Sequence, residues 1–183
     1  MLRNTEHGYG SAARLLHWSV ALLIIGLFFM GLWMEELPKG DFKGQVYGLH
    51  KSVGVLVTLL VAARLAWRAG NPAPLAPNTT TAIQQALAVW AHRLLYVLMI
   101  AVPVAGVLMS QTAGRAVSFF GWFDLPTLMG KNEPLHEALQ GAHALLAFLM
   151  MAVVVFHIGA AIWHHAVLKD DVLRRMTFGR LGG

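Results

Sequence analysis

Nine histidines stand in a 183-residue chain that contains no cysteine. Five of them, His17, His50, His92, His143 and His157, fall inside long apolar runs, where an ionisable ring is expensive enough to mark a functional site. The missing cysteine excludes disulfides, thiolate nucleophiles, sulfur-ligated iron–sulfur clusters and the C-x-x-C-H attachment of a c-type haem. Imidazole is then the main ligand on offer, and neutral imidazoles are good axial ligands for haem iron. His143 and His157 share one run and are 14 residues apart. On an α-helix that spacing brings them within about 40° of one face and about 21 Å apart along the axis, which suits two cofactors stacked across one bilayer. Consecutive spans cross in opposite directions, so His17, early in the first run, meets His157 at one depth, and His50, early in the second, meets His143 at the other. The expected product is two six-coordinate b haems, His17 with His157 toward the inner side and His50 with His143 toward the outer side.

A flat porphyrin lying against its ligating helix favours a small residue one turn away. The residues four beyond the four ligands are Ala21, Gly54, Ala147 and Ala161. His92 has Tyr96 there instead and reads as a hydrogen-bonding or quinone-side residue near the inner surface. Histidines satisfied only by bonds between helices are the alternative for all four. His136 is a rival outer ligand, although its 21-residue separation from His157 would span about 31 Å, the whole hydrocarbon thickness. His164 and His165 read as interfacial and His7 as solvated. The nine methionines offer an axial thioether as another option, with Met30, Met99, Met150 and Met151 more simply filling gaps.

The elements that position these rings follow from composition. The chain is 57% hydrophobic and only 13% charged, with mean hydropathy +0.58, which excludes an ordinary water-soluble domain. Four apolar runs, Leu15 to Met34, Leu49 to Trp67, Leu87 to Met109 and Leu139 to Leu168, are each long enough to cross a bilayer. The expected fold is an all-α integral membrane protein, one domain over 1–183, with transmembrane helices at 12–34, 47–68, 84–110 and 138–168 in a four-helix bundle. The first run ends in Glu35-Glu36-Leu37-Pro38 and reads as a retained anchor, not a cleaved signal. Three prolines make Asn71 to Asn78 a loop, Pro103 kinks the third span, and Pro134 suits the first turn of the fourth. Gly44-x-x-x-Gly48 has close-packing spacing at the edge of the second helix.

Nine of the fourteen Lys and Arg residues, Arg180 among them, lie on the face shared by the two termini. The positive-inside rule therefore places both termini in the cytoplasm. Trp18, Trp67, Trp90 and Trp163 then mark the inner boundary, with Trp33 and Trp122 toward the outer. The pI near 10.0 reflects this bias; no nucleic-acid recognition module and no internal repeat is present. Lys51, beside His50, has two equal readings: attracting a small anion or haem propionate, or snorkelling to the interface. Arg14, three residues before His17, plays the same part for the inner haem. The aromatic stretch Ser118-Phe119-Phe120-Gly121-Trp122-Phe123-Asp124 lies near the outer lipid interface as a lid for the outer haem.

The chain resembles the bacterial cytochrome b561 family of di-haem membrane cytochromes. The resemblance covers nearly its whole length and rests on Leu16-His17-Trp18, Gly31-Leu32-Trp33-Met34, Leu49-His50-Lys51-Ser52-Val53-Gly54, Phe120-Gly121-Trp122-Phe123-Asp124 and the closing stretch from His164 to Met176. It implies axial ligation by the same His17, His50, His143 and His157. Some members carry a His-Glu pair at the outer ligand of the fourth helix, whereas here His136-Glu137 lies seven residues earlier. The resemblance further implies electron transfer between an extracytoplasmic donor and the quinone pool. A superoxide:ubiquinone oxidoreductase is the leading form, with ubiquinone as acceptor. An electron-transfer subunit for a periplasmic dehydrogenase or redox carrier is the alternative, and a His-rich metal or proton transporter a distant one. Lipid and quinone are the expected partners.

Overall fold

A computed structural model describes residues 1–77 and 79–177; Asn78 of the proline-rich loop and Arg180 of the charge count lie outside the described residues. The chain is almost entirely helical. Four helices are long and apolar enough to cross a membrane: α1 (Ser11–Glu36), α2 (Asp41–Gly70), α3 (Ala82–Thr112) and α4 (Glu133–Trp163). A two-stranded antiparallel hairpin, β1 (Ser118–Phe119) and β2 (Phe123–Asp124), follows α3, and a short α5 (Val172–Thr177) closes the described chain. Large apolar side chains such as Leu22, Phe29, Leu145 and Phe156 point outward, as expected of helices whose surroundings are hydrocarbon.

Polar chemistry at the helix ends explains where the boundaries depart from 12–34, 47–68, 84–110 and 138–168. The second helix starts at Asp41, not 47, because Lys43 donates from Nζ to the last carbonyls of the α1 end, Glu35 O and Leu37 O, both at 2.9 Å. That contact requires Lys43 to be helical already and sets Gly44 and Gly48 within the first two turns of α2. The third helix opens on a reciprocal capping box, Thr81 N–H to Gln84 Oε1 at 2.8 Å and Gln84 N–H to Thr81 Oγ1 at 3.3 Å. The fourth begins at Glu133, not 138: Asn132 Oδ1 accepts from Leu135 N–H at 3.1 Å, and Pro134 occupies a first-turn position that needs no amide donor. Pro103 is accommodated within a continuous α3.

Contacts divide the chain into two units, each drawing on all four long helices. One comprises Met1–Val20, Leu60–Tyr96 and Ala152–Gly183, of which 178–183 lie outside the described residues; the other comprises Ala21–Leu59 and Val97–Met151. In the first unit α4 runs out into a π-helical turn, His164–Leu168, that ends at Lys169 in the left-handed region with φ 53°. Asp170 then organises the ending. Its carboxylate, 4% exposed, accepts from His164 Nδ1–H at 2.6 Å, from the Thr79 hydroxyl at 3.1 Å and from Val172 N–H at 3.1 Å, the last capping α5. Arg14 and Trp18 of α1 complete the closure by donating to Thr177 O and Met176 O, both at 3.0 Å.

Burial acts to raise the Asp170 carboxyl, but the bonds from His164, Val172 and Thr79 outweigh it and hold the group below its ordinary value. A depressed folded value means stability that is present above the ordinary carboxylate value of about 3.9 and is lost as pH falls through the folded one. Amide exchange over residues 164–177, corrected for its intrinsic pH dependence, should accelerate in that acid window and not at pH 6–8. Asp170→Asn should show the faster exchange at neutral pH and lose the acid response.

Candidate functional site

The sequence-expected ligands meet in two pairs, one in each unit. In the unit containing Val97–Met151, the His50 ring of α2 faces the His143 ring of α4 with centroids 6.4 Å apart and planes at 75°. In the other, His17 of α1 faces His157 of α4 at 6.2 Å and 56°. Two imidazoles bound in trans to one six-coordinate metal place their ring centres about 6.4 Å apart, from metal–nitrogen bonds of about 2.0 Å and a ring radius of about 1.2 Å. Both pairs match that spacing. His92 lies 5.2 Å from His157, too close to share a metal with it in trans, and its Nδ1–H donates to Ala88 O at 2.7 Å.

The His50–His143 pair shows how α3 prepares a ligand it does not supply. His143 Nδ1–H donates to Val102 O, the carbonyl just before Pro103, at 2.9 Å. With that nitrogen protonated, Nε2 keeps its lone pair for a metal, the tautomer an axial ligand requires. The ring lies so close to α3 that a Cβ on Gly106 would meet His143 Cε1 at 3.0 Å and Nδ1 at 3.1 Å. Gly31 of α1 flanks His50 less tightly, its notional Cβ 3.5 Å from His50 Cε1. An apolar cleft opens at the two rings, lined by His50, Gly54, Pro103, His143, Ala147 and Met150, among others. Two of the small residues marked in the sequence, Gly54 and Ala147, thus line the space a porphyrin would occupy.

His17 Nδ1 and His50 Nδ1 are buried and make no hydrogen bond, so an interhelical bond from that nitrogen does not account for either ring. Among the described residues no group of three or more His, Cys, Asp or Glu is arranged to hold a bare metal ion, so a metal held by either imidazole pair would need its remaining ligands from a cofactor. The donor set therefore fits haem b, whose porphyrin supplies the other four nitrogens.

The remaining sequence-marked residues are engaged elsewhere. His136 Nδ1–H donates to Met109 O at 3.0 Å, anchoring the start of α4 to the end of α3, and its ring makes no contact with His50. His164 belongs to the Asp170 knot, and His7 and His165 are exposed. Arg14 spends Nη1 on Thr177 O, while its buried Nε has no partner. Lys51 does not snorkel freely: Nζ donates to Ala116 O at 2.7 Å and reaches Ser110 Oγ at 3.4 Å.

Sequence reading missed Gly106, the Val102 carbonyl and Ser52. A glycine inside a helix costs about 1 kcal/mol against alanine, and that signal at 106 asks for a packing reason. Ser52 is buried two residues beyond His50; its hydroxyl accepts Phe120 N–H at 3.0 Å and donates to Gly48 O at 2.9 Å or Ser118 O at 3.0 Å. It thereby holds the hairpin turn in which Trp122 N–H bonds Phe119 O at 2.9 Å and Phe120 and Gly121 take φ of 52° and 75°. Such a turn is strained for phenylalanine and natural for glycine. A second cleft lies here, lined by Lys51, Ser52 and Ser118 together with Gly48, Leu49, Ala116, Phe120 and Gly121.

Comparison with known proteins agrees with the geometry. The family model described as prokaryotic cytochrome b561 matches residues 8–179. Cytochrome b561 homolog 2 of Escherichia coli K12 is 33% identical over 174 residues, 94% of this chain and 93% of that protein. A probable superoxide oxidase CybB of Yersinia pestis is 29% identical over 88% of this chain and 90% of its own length, and a cytochrome b562 of Cereibacter sphaeroides is 27% identical over 93% and 96%. With four membrane-spanning helices, imidazole pairs spaced for haem and a family match across almost the whole chain, the protein belongs to the prokaryotic cytochrome b561 family of multi-pass membrane cytochromes that transfer electrons on haem b.

Proposed function

We propose that this cytochrome binds two b haems, one between His17 and His157 and one between His50 and His143, and carries electrons from superoxide outside the bacterial inner membrane to ubiquinone. The carrying observation is the spacing of the two imidazole pairs, 6.2 and 6.4 Å, each matched to one six-coordinate iron. The bound haems supply two one-electron carriers, which suits an acceptor that takes electrons two at a time. In balance, two superoxide ions release two electrons and leave as dioxygen, while the quinone takes both electrons and two protons to become the quinol. The excess of Lys and Arg near the termini orients the His50–His143 pair outward. The 29% identity to a probable superoxide oxidase and the small anion's modest demand for a pocket support superoxide as donor. Lys51, lining the second cleft and next to His50 in the chain, is the steering charge.

Each residue has a distinct task. His143 is held in its metal-binding tautomer by Val102 O, Gly106 admits its ring, and Ser52 holds the aromatic hairpin beside the second cleft. Arg14, one turn before His17 on α1, would accompany the haem held by His17 and His157.

Acid–acetone should extract about two haems per chain, since no cysteine tethers them. His50→Ala and His143→Ala should abolish one spectral component, and His17→Ala and His157→Ala the other. Loss of a component in His92→Ala or His136→Ala, with the assigned ligand dispensable, would replace the ligand set.

Gly106→Ala forces a methyl against a ring already fixed by its bond to Val102 O, at a cost of about 1–3 kcal/mol. Reduced-minus-oxidised spectra should show partial loss of the His50–His143 component alone. Gly31→Ala, where the added methyl finds ordinary contact distance, should retain both.

In detergent with a soluble quinone, a superoxide flux should reduce the haems and then the quinone at a rate that falls with ionic strength and drops in Lys51→Glu, haem content being unchanged. Haems that stay oxidised under superoxide but are reduced by a periplasmic extract would transfer the assignment to a protein donor.

A further inference from the structure

Arg64 lies inside the membrane-spanning part of α2, half-buried, and no carboxylate among the described residues pairs with it; the ion pairs present are Lys131–Glu133, His164–Asp170 and Arg175–Asp171. Its guanidinium is parked over the Tyr96 ring, 5.6 Å from the centroid. Tyr96 stands one turn beyond His92 on α3, and Arg64 stands within electrostatic reach of His17, His92 and His157, all in the same unit. The other groups within its own reach are the phenols Tyr9 and Tyr96 and a second cation, Arg68, which aggravates the imbalance. Three residues along α2, on the same helix face, the buried Trp67 Nε1–H has no acceptor. A cation that cannot shed its proton and an orphaned indole donor therefore share one face, beside the His17–His157 pair, with no acceptor from the protein.

A cation and a buried donor of this kind call for an anionic oxygen acceptor, and none among the described residues meets them. Haem b carries two carboxylates on its edge. We propose that Arg64, aided by Trp67 Nε1–H and steadied by the Tyr96 face, is the binding subsite for a propionate carboxylate of the haem between His17 and His157. The inference rests on the two-haem reading above. It gives Tyr96 a purpose: the bulky residue one turn from His92 is the platform that aims the guanidinium. A positive charge at the haem edge favours the reduced form, which carries one more negative charge, so Arg64 raises the potential of that haem alone.

The test uses full-length protein stripped of haem and refilled with either haem b or its dimethyl ester, which lacks the carboxylate charges. Redox titrations follow the spectral component that disappears in His157→Ala. With haem b, Arg64→Gln should weaken reduction of that component at least tenfold, 59 mV for one electron, while Arg64→Lys loses less and the other component is unmoved. Trp67→Phe, which removes only the N–H, should produce a smaller shift in the same direction. With the ester, which leaves only the through-space effect of the guanidinium, Arg64→Gln should shift that component distinctly less than it does with haem b. An equal shift with haem b and ester, a shift in the His50–His143 component, or no shift in any variant would overturn the assignment. A shift seen only when anionic phospholipid is added to delipidated protein would assign the site to a lipid phosphate instead. Should Arg64→Gln not accumulate, the Arg64→Lys and Trp67→Phe comparisons between haem b and ester decide the matter by the same criteria. Preparations without any haem would instead sink the two-haem reading on which the subsite depends.

Discussion

An imidazole inside an apolar helix has two ring nitrogens to satisfy and almost nothing nearby with which to satisfy them. In hydrocarbon the surrounding backbone is already bonded to itself, so each such ring must find a carbonyl, a second side chain or a metal. That scarcity organises this protein. His143 finds Val102 O for one nitrogen and leaves the other bare; His136 and His92 spend their Nδ1 protons on Met109 O and Ala88 O. His17 and His50 find nothing within the protein for Nδ1. A pair of rings whose centres stand 6.2 or 6.4 Å apart, with ring nitrogens uncommitted, is arranged for something between them.

The same constraint reaches outward from the ligands. Because His143 must approach α3 closely enough to reach a main-chain oxygen, the position facing it must have no side chain, and Gly106 is there. Because Phe120 adopts a conformation natural to glycine, its amide is held by a buried hydroxyl, and Ser52 supplies it two residues after His50. The hairpin and the ligand helix are therefore stitched together by adjacent residues, Lys51 to Ala116 O and Ser52 to the turn.

Charge follows the same logic at the other pair. The unit that holds His17 and His157 is rich in guanidinium and indole donors and poor in acceptors of its own, with Arg14 Nε and Trp67 Nε1 buried and unpaired and Arg64 facing no carboxylate. Its one deeply embedded carboxylate, Asp170, is consumed by His164, Thr79 and the cap of α5. Donors in surplus are a statement about what binds: an anionic group is expected where the chain has arranged cations without partners.

Much of this was legible in one dimension because the relevant physics is periodic. Spans follow from run length against bilayer thickness, and His143 and His157 share a face because fourteen residues make nearly four turns. The small residues at Gly54 and Ala147 were visible for the same reason, and both line the cleft at the His50 and His143 rings. Helix ends were not, since α2 begins where Lys43 can reach carbonyls of the preceding helix and α4 where Asn132 can cap it. Depth and the residue one turn on had already set His17 above His92 as the partner of His157, but the distances themselves, 6.2 against 5.2 Å, depend on where three helices lie and not on any spacing within one. Only the tertiary structure revealed Gly106, Ser52 and the surroundings of Arg64. Each acts across a gap between elements distant in sequence, and the chain carries no periodic mark of which face will meet which.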